Sequence, residues 1–216
     1  MSELPTLVSA NLFQYVAAHT VQEDDFLRDL KREAKVAGIP PIWISPEQGS
    51  FVQILLKLVG ARDVVEVGTL AGYSAIVMAR ALADGGRVRT IEINQRHADF
   101  AQLWVEKSDV AGRVIVHRGA GMDILPTLTA DSADAAFIDA DKAGYALYVQ
   151  ESLRIVRRGG LIMVDNAFAF GQILDENPAD PEVSILRAFN ESMAQMRALQ
   201  SIIVPIGDGL WVAVKL

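Results

Sequence analysis

Two kinds of apolar pattern alternate along the chain. Short buried-type runs recur at 64–67, 87–91, 114–116, 135–138, 161–164, 199–206 and 210–216, and each predicts a strand. Between them lie longer stretches with helical spacing: 73–80, His97 to Lys107, Met122 to Leu128, Tyr145 to Val156, and Pro181 to Met196. Before the first strand, Pro5 to Lys35 reads as helix in two pieces broken near His19 and Thr20, with Phe26, Leu27 and Leu30 on one apolar face. Gly38-Ile39-Pro40-Pro41 ends that region, because two prolines cannot continue a helix. Ser45-Pro46-Glu47-Gln48 then starts another helix through Phe51, Ile54, Leu55 and Leu58, with a Ser cap, Pro in the first turn and Gln48 as capping-box partner. Residues 167–181 read as an irregular loop. Gly159-Gly160 reads as a turn before the fifth strand, and Gly207-Asp208-Gly209 as the turn of a closing hairpin. Strands alternating with helices predict an open α/β sheet, mostly parallel, with helices on both faces and an antiparallel last strand. The expected organisation is one domain, a helical cap at 1–60 over the ligand edge and a core at 61–216. In that arrangement Ile42, Trp43 and Ile44 either line the ligand edge or are plain core.

Composition narrows the function classes. The 216 residues are 51% apolar, enough for one domain with a full sheet core. The net charge of −7 offers no overall basic surface for nucleic acid or anionic lipid. There is no cysteine, which excludes disulfides, thiolate metal sites and a cysteine nucleophile. No apolar run is long enough to span a membrane and no signal peptide is evident, so a cytoplasmic location is expected.

The first strand breaks into Glu66-Val67-Gly68-Thr69-Leu70-Ala71-Gly72-Tyr73-Ser74. A helix start after a glycine turn presents free N–H groups to an anion. A dinucleotide fingerprint needs a second glycine two places after the first, to make room for a pyrophosphate; Leu70 stands there instead and disfavours a nicotinamide dehydrogenase. A small carboxylate fits better, with Ser74 as donor, while Glu66 suits an ammonium or a cationic centre. S-adenosylmethionine carries a carboxylate, an ammonium and a sulfonium. The same glycines would equally serve a bare tight turn. Glu92 follows the turn by about 20 residues, the spacing of an acid that grips a ribose diol. Gly119-Ala120-Gly121 would let an adenine lie against the backbone, and Met122 either packs on it or fills a gap.

Asp139 ends the fourth strand, and Asp165-Asn166 end the fifth. Two carboxylates and an amide oxygen at one sheet edge form a hard oxygen set for Mg²⁺, or for Ca²⁺ or Mn²⁺. Lys142, three residues past Asp139, is placed to take a proton from a bound hydroxyl.

With these residues in view, the chain resembles the class I S-adenosylmethionine-dependent methyltransferases, and within them the cation-dependent catechol and caffeoyl-CoA O-methyltransferases. The likeness runs through Ser45 to Gly49, Glu66 to Ser74, Ile91-Glu92, Phe137 to Lys142, Val164-Asp165-Asn166 and Pro205 to Gly209. It implies a Rossmann-like seven-stranded sheet. It implies a cofactor site drawn from Ile44, Glu66, Gly68, Thr69, Ser74, Glu92, Ile93, Gly121, Met122 and Asp139. It implies a metal at Asp139, Asp165 and Asn166, usually Mg²⁺, with Lys142 as general base beside Asp139, and a homodimer. Many relatives carry a Trp or Arg in a Val-Leu-Trp-x-Gly pattern after Asp-Asn. Here the stretch is Asn166-Ala167-Phe168-Ala169-Phe170-Gly171, an apolar mouth without arginine. The expected acceptor is therefore a neutral, flat aromatic diol rather than a coenzyme A ester. Two other readings stand beside it: methylation of a hydroxylated uridine in tRNA, and a catalytically silent cofactor-binding module.

Overall fold

The computed structural model describes residues 8–216. The start of the first expected helix, 5–7, lies outside them. The helix seen there is α1, Ala10–Ala18, capped by the Ser9 hydroxyl; α2, Asp25–Val36, is capped by Asp24. The helix α3 runs Pro46–Leu58, and Ser45 accepts from the Gln48 backbone N–H as a cap should. The reciprocal half of the expected capping box does not form. Gln48 is buried, and its side chain faces Asp165 and Gly207 instead of turning back on Ser45.

The core follows as β1 (Asp63–Val67), α4 (Tyr73–Ala81), β2 (Arg87–Glu92), α5 (Gln95–Lys107) and β3 (Val114–Arg118). Then come α6 (Gly121–Ile124) with a 3₁₀ turn to Thr127, β4 (Ala133–Ile138), α7 (Tyr145–Ile155), β5 (Val156–Val164), α8 (Val183–Gln195), β6 (Leu199–Val204) and β7 (Leu210–Lys215). The seven strands lie in the order β3-β2-β1-β4-β5-β7-β6. Only β7 opposes the others: it pairs antiparallel with both β5 and β6, while β1 to β5 pair in parallel. Strand order reverses between β1 and β4, which opens a crevice at their carboxyl ends.

The near-continuous apolar character of β1, β4 and β5 has its physical reason in two cores, one per sheet face. On one face α4 and α5 pack with Val64, Ala135, Phe137 and Met163; on the other α7 and α8 pack with Val65, Ala136, Ile138 and Ile162. Leu27, Leu30, Val52 and Leu56 of α2 and α3 belong to the first of these cores, so these helices form an outer layer against α4. Their connection lines the cavity with Pro40 and Ile42 to Ile44, and Gln48 of α3 reaches Asp165 behind it.

The Gly159-Gly160 pair does not precede β5 but sits inside it. Ala133 pairs with Val156 and Ala135 with Leu161, so residues of β5 bulge out between. A Cβ at Gly160 would stand 2.5 Å from the Asp134 carbonyl oxygen, which explains the glycine. Among the described residues no helix is long and apolar enough to cross a membrane.

Candidate active site

The ends of β1, β2 and β4 are laced together by backbone. Gly68 N–H donates to Ile91 O at 3.0 Å, and Asp139 N–H donates to Val67 O at 2.9 Å. Gly68 has φ +101°, and a Cβ there would stand 1.8 Å from the Asp139 carbonyl oxygen. The glycine is therefore demanded by the neighbouring strand end, beyond any ligand. Leu70 takes a left-handed φ of +49°. That turns its N–H onto Glu92 Oε2 at 2.8 Å, while Asn94 N–H donates to Oε1 at 2.8 Å. Two backbone amides thus fix the Glu92 carboxylate at the cavity wall, with lone pairs left for a diol.

Glu66 is fully buried. The Ser74 hydroxyl donates to its Oε1, and Oε2 has no hydrogen-bond partner among the described residues. Burial pushes this carboxyl up to about 8, with the charges of Asp139 and Glu92 adding to the rise, against the hydroxyls of Ser74 and Thr90. A buried acid with one oxygen unsatisfied is prepared for a cationic ligand, which would supply the missing donor. Ser74 spends its hydroxyl on that acid rather than holding it free for a ligand carboxylate.

The second half of the site grows from the ends of β4 and β5. Asp141 caps the next turn: it accepts from Gly144 N–H at 2.9 Å and from the Tyr148 hydroxyl at 2.7 Å. Lys142, on that turn, is half-buried. Its Nζ donates to Tyr145 Oη at 2.6 Å and to Asn166 Oδ1, and Tyr145 in turn donates to the Asp165 carbonyl at 3.1 Å. Burial holds the Lys142 ammonium below its ordinary range, against the opposing pull of Asp139 and Asp165. Burial raises both aspartates, Lys142 pulling Asp139 back down and Asp139 pushing Asp165 further up. Asp165 accepts from Asn166 N–H at 2.8 Å, whereas no donor meets the Asp139 carboxylate among the described residues. Both halves open into one cavity of about 440 Å³, with Glu92 and Glu66's partner Ser74 on one side and Asp139, Lys142 and Asn166 on the other.

The O-methyltransferase family profile matches residues 17–216. The chain belongs to the O-methyltransferase family. It is 40% identical to a catechol O-methyltransferase of Niastella koreensis over 88% of this chain and 87% of that one. It is 30% identical to caffeoyl-CoA O-methyltransferase 2 of Zea mays, covering 94% of this chain and 82% of the relative. The structure of the O-methyltransferase from Bacillus cereus in complex with SAH superposes with a TM-score of 0.86 at 34% identity, covering 95% and 97% of the two chains.

In this O-methyltransferase the cavity wall includes Ile44, Gly68, Thr69, Ser74, Glu92, Ile93, Gly121, Asp139, Lys142 and Asn166. Thr69 contributes backbone, since its hydroxyl is bonded to that of Thr90 at 2.5 Å. Glu66 and Asp165 lie behind the wall, 0% and 4% exposed, and Met122 lies outside it, 56% exposed. Among the described residues no three His, Cys, Asp or Glu side chains converge as a metal cluster; the set here is two aspartates and an asparagine. The wall also contains Tyr73, His97 and Tyr148, which the sequence reading did not single out. Tyr148 packs so tightly on Gly121 and Gly144 that a Cβ at either would come within 2.8 Å of its ring. Of the small residues after β3, Gly121 is required by that tyrosine and Gly119 lies against Ile124, and the helical apolar spacing of Tyr148 alone does not announce a place in a site. His97 Nδ1 stands 3.9 Å from Glu92 Oε1, one turn into α5.

Proposed function

We propose that this O-methyltransferase moves the methyl group of S-adenosylmethionine to one hydroxyl of a vicinal aromatic diol, with a divalent cation held by Asp139, Asp165 and Asn166. The observation that carries the reading is one cavity whose wall brings a diol-ready acid, Glu92, together with a lysine, an aspartate and an amide oxygen, with the unsatisfied acid Glu66 buried directly behind Ser74. SAH in the Bacillus cereus relative and the catechol activity named for the Niastella relative support it.

Glu66 Oε2 would take the cofactor's ammonium and Glu92 its ribose hydroxyls. When bound, the cofactor supplies a sulfonium methyl, and the electron pair of the breaking C–S bond stays on sulfur as the new O–C bond forms. The chemistry of the residues supports a cation: Asp165 is buried and Asp139 half-buried on the cavity wall without a donor among the described residues, and carboxyls raised in this way would gain from a positive charge between them. A cation there would neutralise the acceptor oxygen as it ionises. Lys142 is positioned to receive that proton. Its ammonium is held low by burial, and its aim is fixed by Tyr145 and Asn166. The apolar rim of Ile42, Trp43, Ile93 and Phe170 favours a flat neutral ring over a charged thioester tail.

Methyl transfer from labelled S-adenosylmethionine to a panel of catechols, with Mg²⁺ and then EDTA, tests this directly. Turnover abolished by EDTA and lowered about 100-fold or more by Lys142→Ala is the expected result. Turnover indifferent to EDTA removes the cation, and a clear preference for a CoA thioester removes the acceptor class.

A further inference from the structure

The Gly207–Gly209 turn between β6 and β7 reads from the sequence as the turn of a closing hairpin within a stretch of family likeness, and nothing in the proposed chemistry uses it. In the fold it is wedged between two parts of the site. A Cβ on Gly207 would stand 2.1 Å from Gln48 Oε1, and one on Gly209 would stand 2.7 Å from the Phe168 ring. Ala167 N–H donates to Gly209 O at 2.8 Å and Phe168 N–H to Asp208 O at 2.9 Å, so the loop after β5 is stitched to the turn by backbone.

Asp208 adds the side-chain part. Its Oδ2 accepts from Phe170 N–H at 2.9 Å, and the Gly171 N–H and the Asn166 side-chain amide also face its carboxylate. What it holds is costly backbone. Asn166, Ala169 and Phe170 have φ of 63°, 51° and 52°, and three non-glycine residues in the left-handed region persist only where their surroundings fix them. An asparagine amide also has two unlike ends. With its NH₂ end toward Asp208, its oxygen is left for Lys142 Nζ, as the structure shows.

We infer that Asp208 is a positioning residue for the acceptor side of the site: it fixes the left-handed loop 166–171, the amide orientation of Asn166 and the place of the Phe170 ring on the cavity wall. Its kinetic consequence rests on the proposed O-methyl transfer; its structural consequence does not. Asp208 is absent from the cavity wall, so it acts through Asn166 and Phe170 rather than on the acceptor itself.

The test pairs hydrogen exchange with kinetics on the full chain. In Asp208→Ala, amide exchange across 166–171 is expected to quicken about tenfold or more, the loss of one charge-assisted hydrogen bond, with exchange in β1 and α4 unchanged. The KM for catechol is expected to rise about tenfold, while the KM for S-adenosylmethionine stays within about twofold of wild type. Asp208→Asn keeps one acceptor oxygen and is expected between wild type and Asp208→Ala on both readouts; it also decides the matter if the alanine variant does not fold. Unchanged exchange at 166–171, or acceleration spread over the whole domain with both KM values raised, overturns the assignment. If wild type methylates no catechol, the functional reading fails and the exchange result still decides this one.

Discussion

Glu66→Gln offers a near-isosteric way to remove one charge from the interior. In the unfolded chain this carboxyl has its ordinary value of 4.5, and in the fold it is pushed up to about 8. Between these values the folded protein keeps a proton that the unfolded chain has released. The native state then binds more protons, and stability falls as pH rises through that window, levelling above 8. At pH 7 the cost is about 1.4 kcal/mol for each of roughly 2.5 pH units, or about 3 kcal/mol. Glutamine keeps an oxygen for the Ser74 hydroxyl and carries no such cost. The ligand-free Glu66→Gln protein is expected to melt roughly 5–10 °C above wild type at pH 7, with the gap closing toward pH 5. The assay is a thermal melt of both proteins at half-unit steps from pH 5 to 8.5, without cofactor. Titration calorimetry at pH 7 is then expected to show the variant binding S-adenosylmethionine at least about tenfold more weakly, because the ammonium loses its charged partner. A variant that melts below wild type at pH 7, or a difference that does not change with pH, would refute the reasoning from burial. A variant that gains stability yet binds the cofactor unchanged would leave the burial argument standing and remove Glu66 from the ammonium site.

Other outcomes follow from the same geometry. Gly68→Ala places a Cβ against the Asp139 carbonyl and strains φ +101°; a loss of at least about 3 kcal/mol in urea unfolding is expected, and a loss under 1 kcal/mol would show that the strand ends can separate. Asp134 accepts from Arg62 N–H, Asp63 N–H and Arg157 Nε at 2.7, 3.0 and 2.7 Å, and these donors hold its carboxyl below the usual range despite burial. Asp134→Ala, far from the cavity, should therefore cost about 2 kcal/mol in the same assay while leaving the cofactor dissociation constant unchanged. Phe170→Ala should raise the KM for a catechol several-fold with little change in that for S-adenosylmethionine; equal KM values in variant and wild type would make Phe170 ordinary loop packing.

Much of this was legible because strand and helix periods differ. The run at 135–138 has no polar residue and that at 64–67 only Glu66, so their burial on both sides and their central position in the sheet could be read directly. Strand-end acids followed from topology: once β1, β4 and β5 were parallel, Glu66, Asp139 and Asp165 had to share an edge. What escaped depends on contacts between distant segments. Gln48 matched a local capping signal, but a buried amide near Asp165 outweighed it. Gly159-Gly160 matched a turn, but the close approach of Asp134 placed the pair within β5. Tyr148 entered the cavity wall only because α7 packs against α6, the short helix that follows β3, a fact no single segment contains. From the opening region Pro40 and Ile42 to Ile44 line the cavity, while the apolar faces of its helices are satisfied against α4, a division that helical spacing alone does not announce.

The strand β7 enters the sheet between β5 and β6, although it follows both in the chain. The loop that carries Asn166 and Phe170 is pinned by residues just before it, at 207–209. The donor pocket around Glu66 and Glu92 is made from residues translated far earlier. The two halves of the site thus depend on strands that lie far apart in the chain and on opposite sides of the strand-order reversal. Loosening of the β5–β7 pairing would therefore unfix the place of the molecule to be methylated before it reached the strands that carry Glu66 and Glu92.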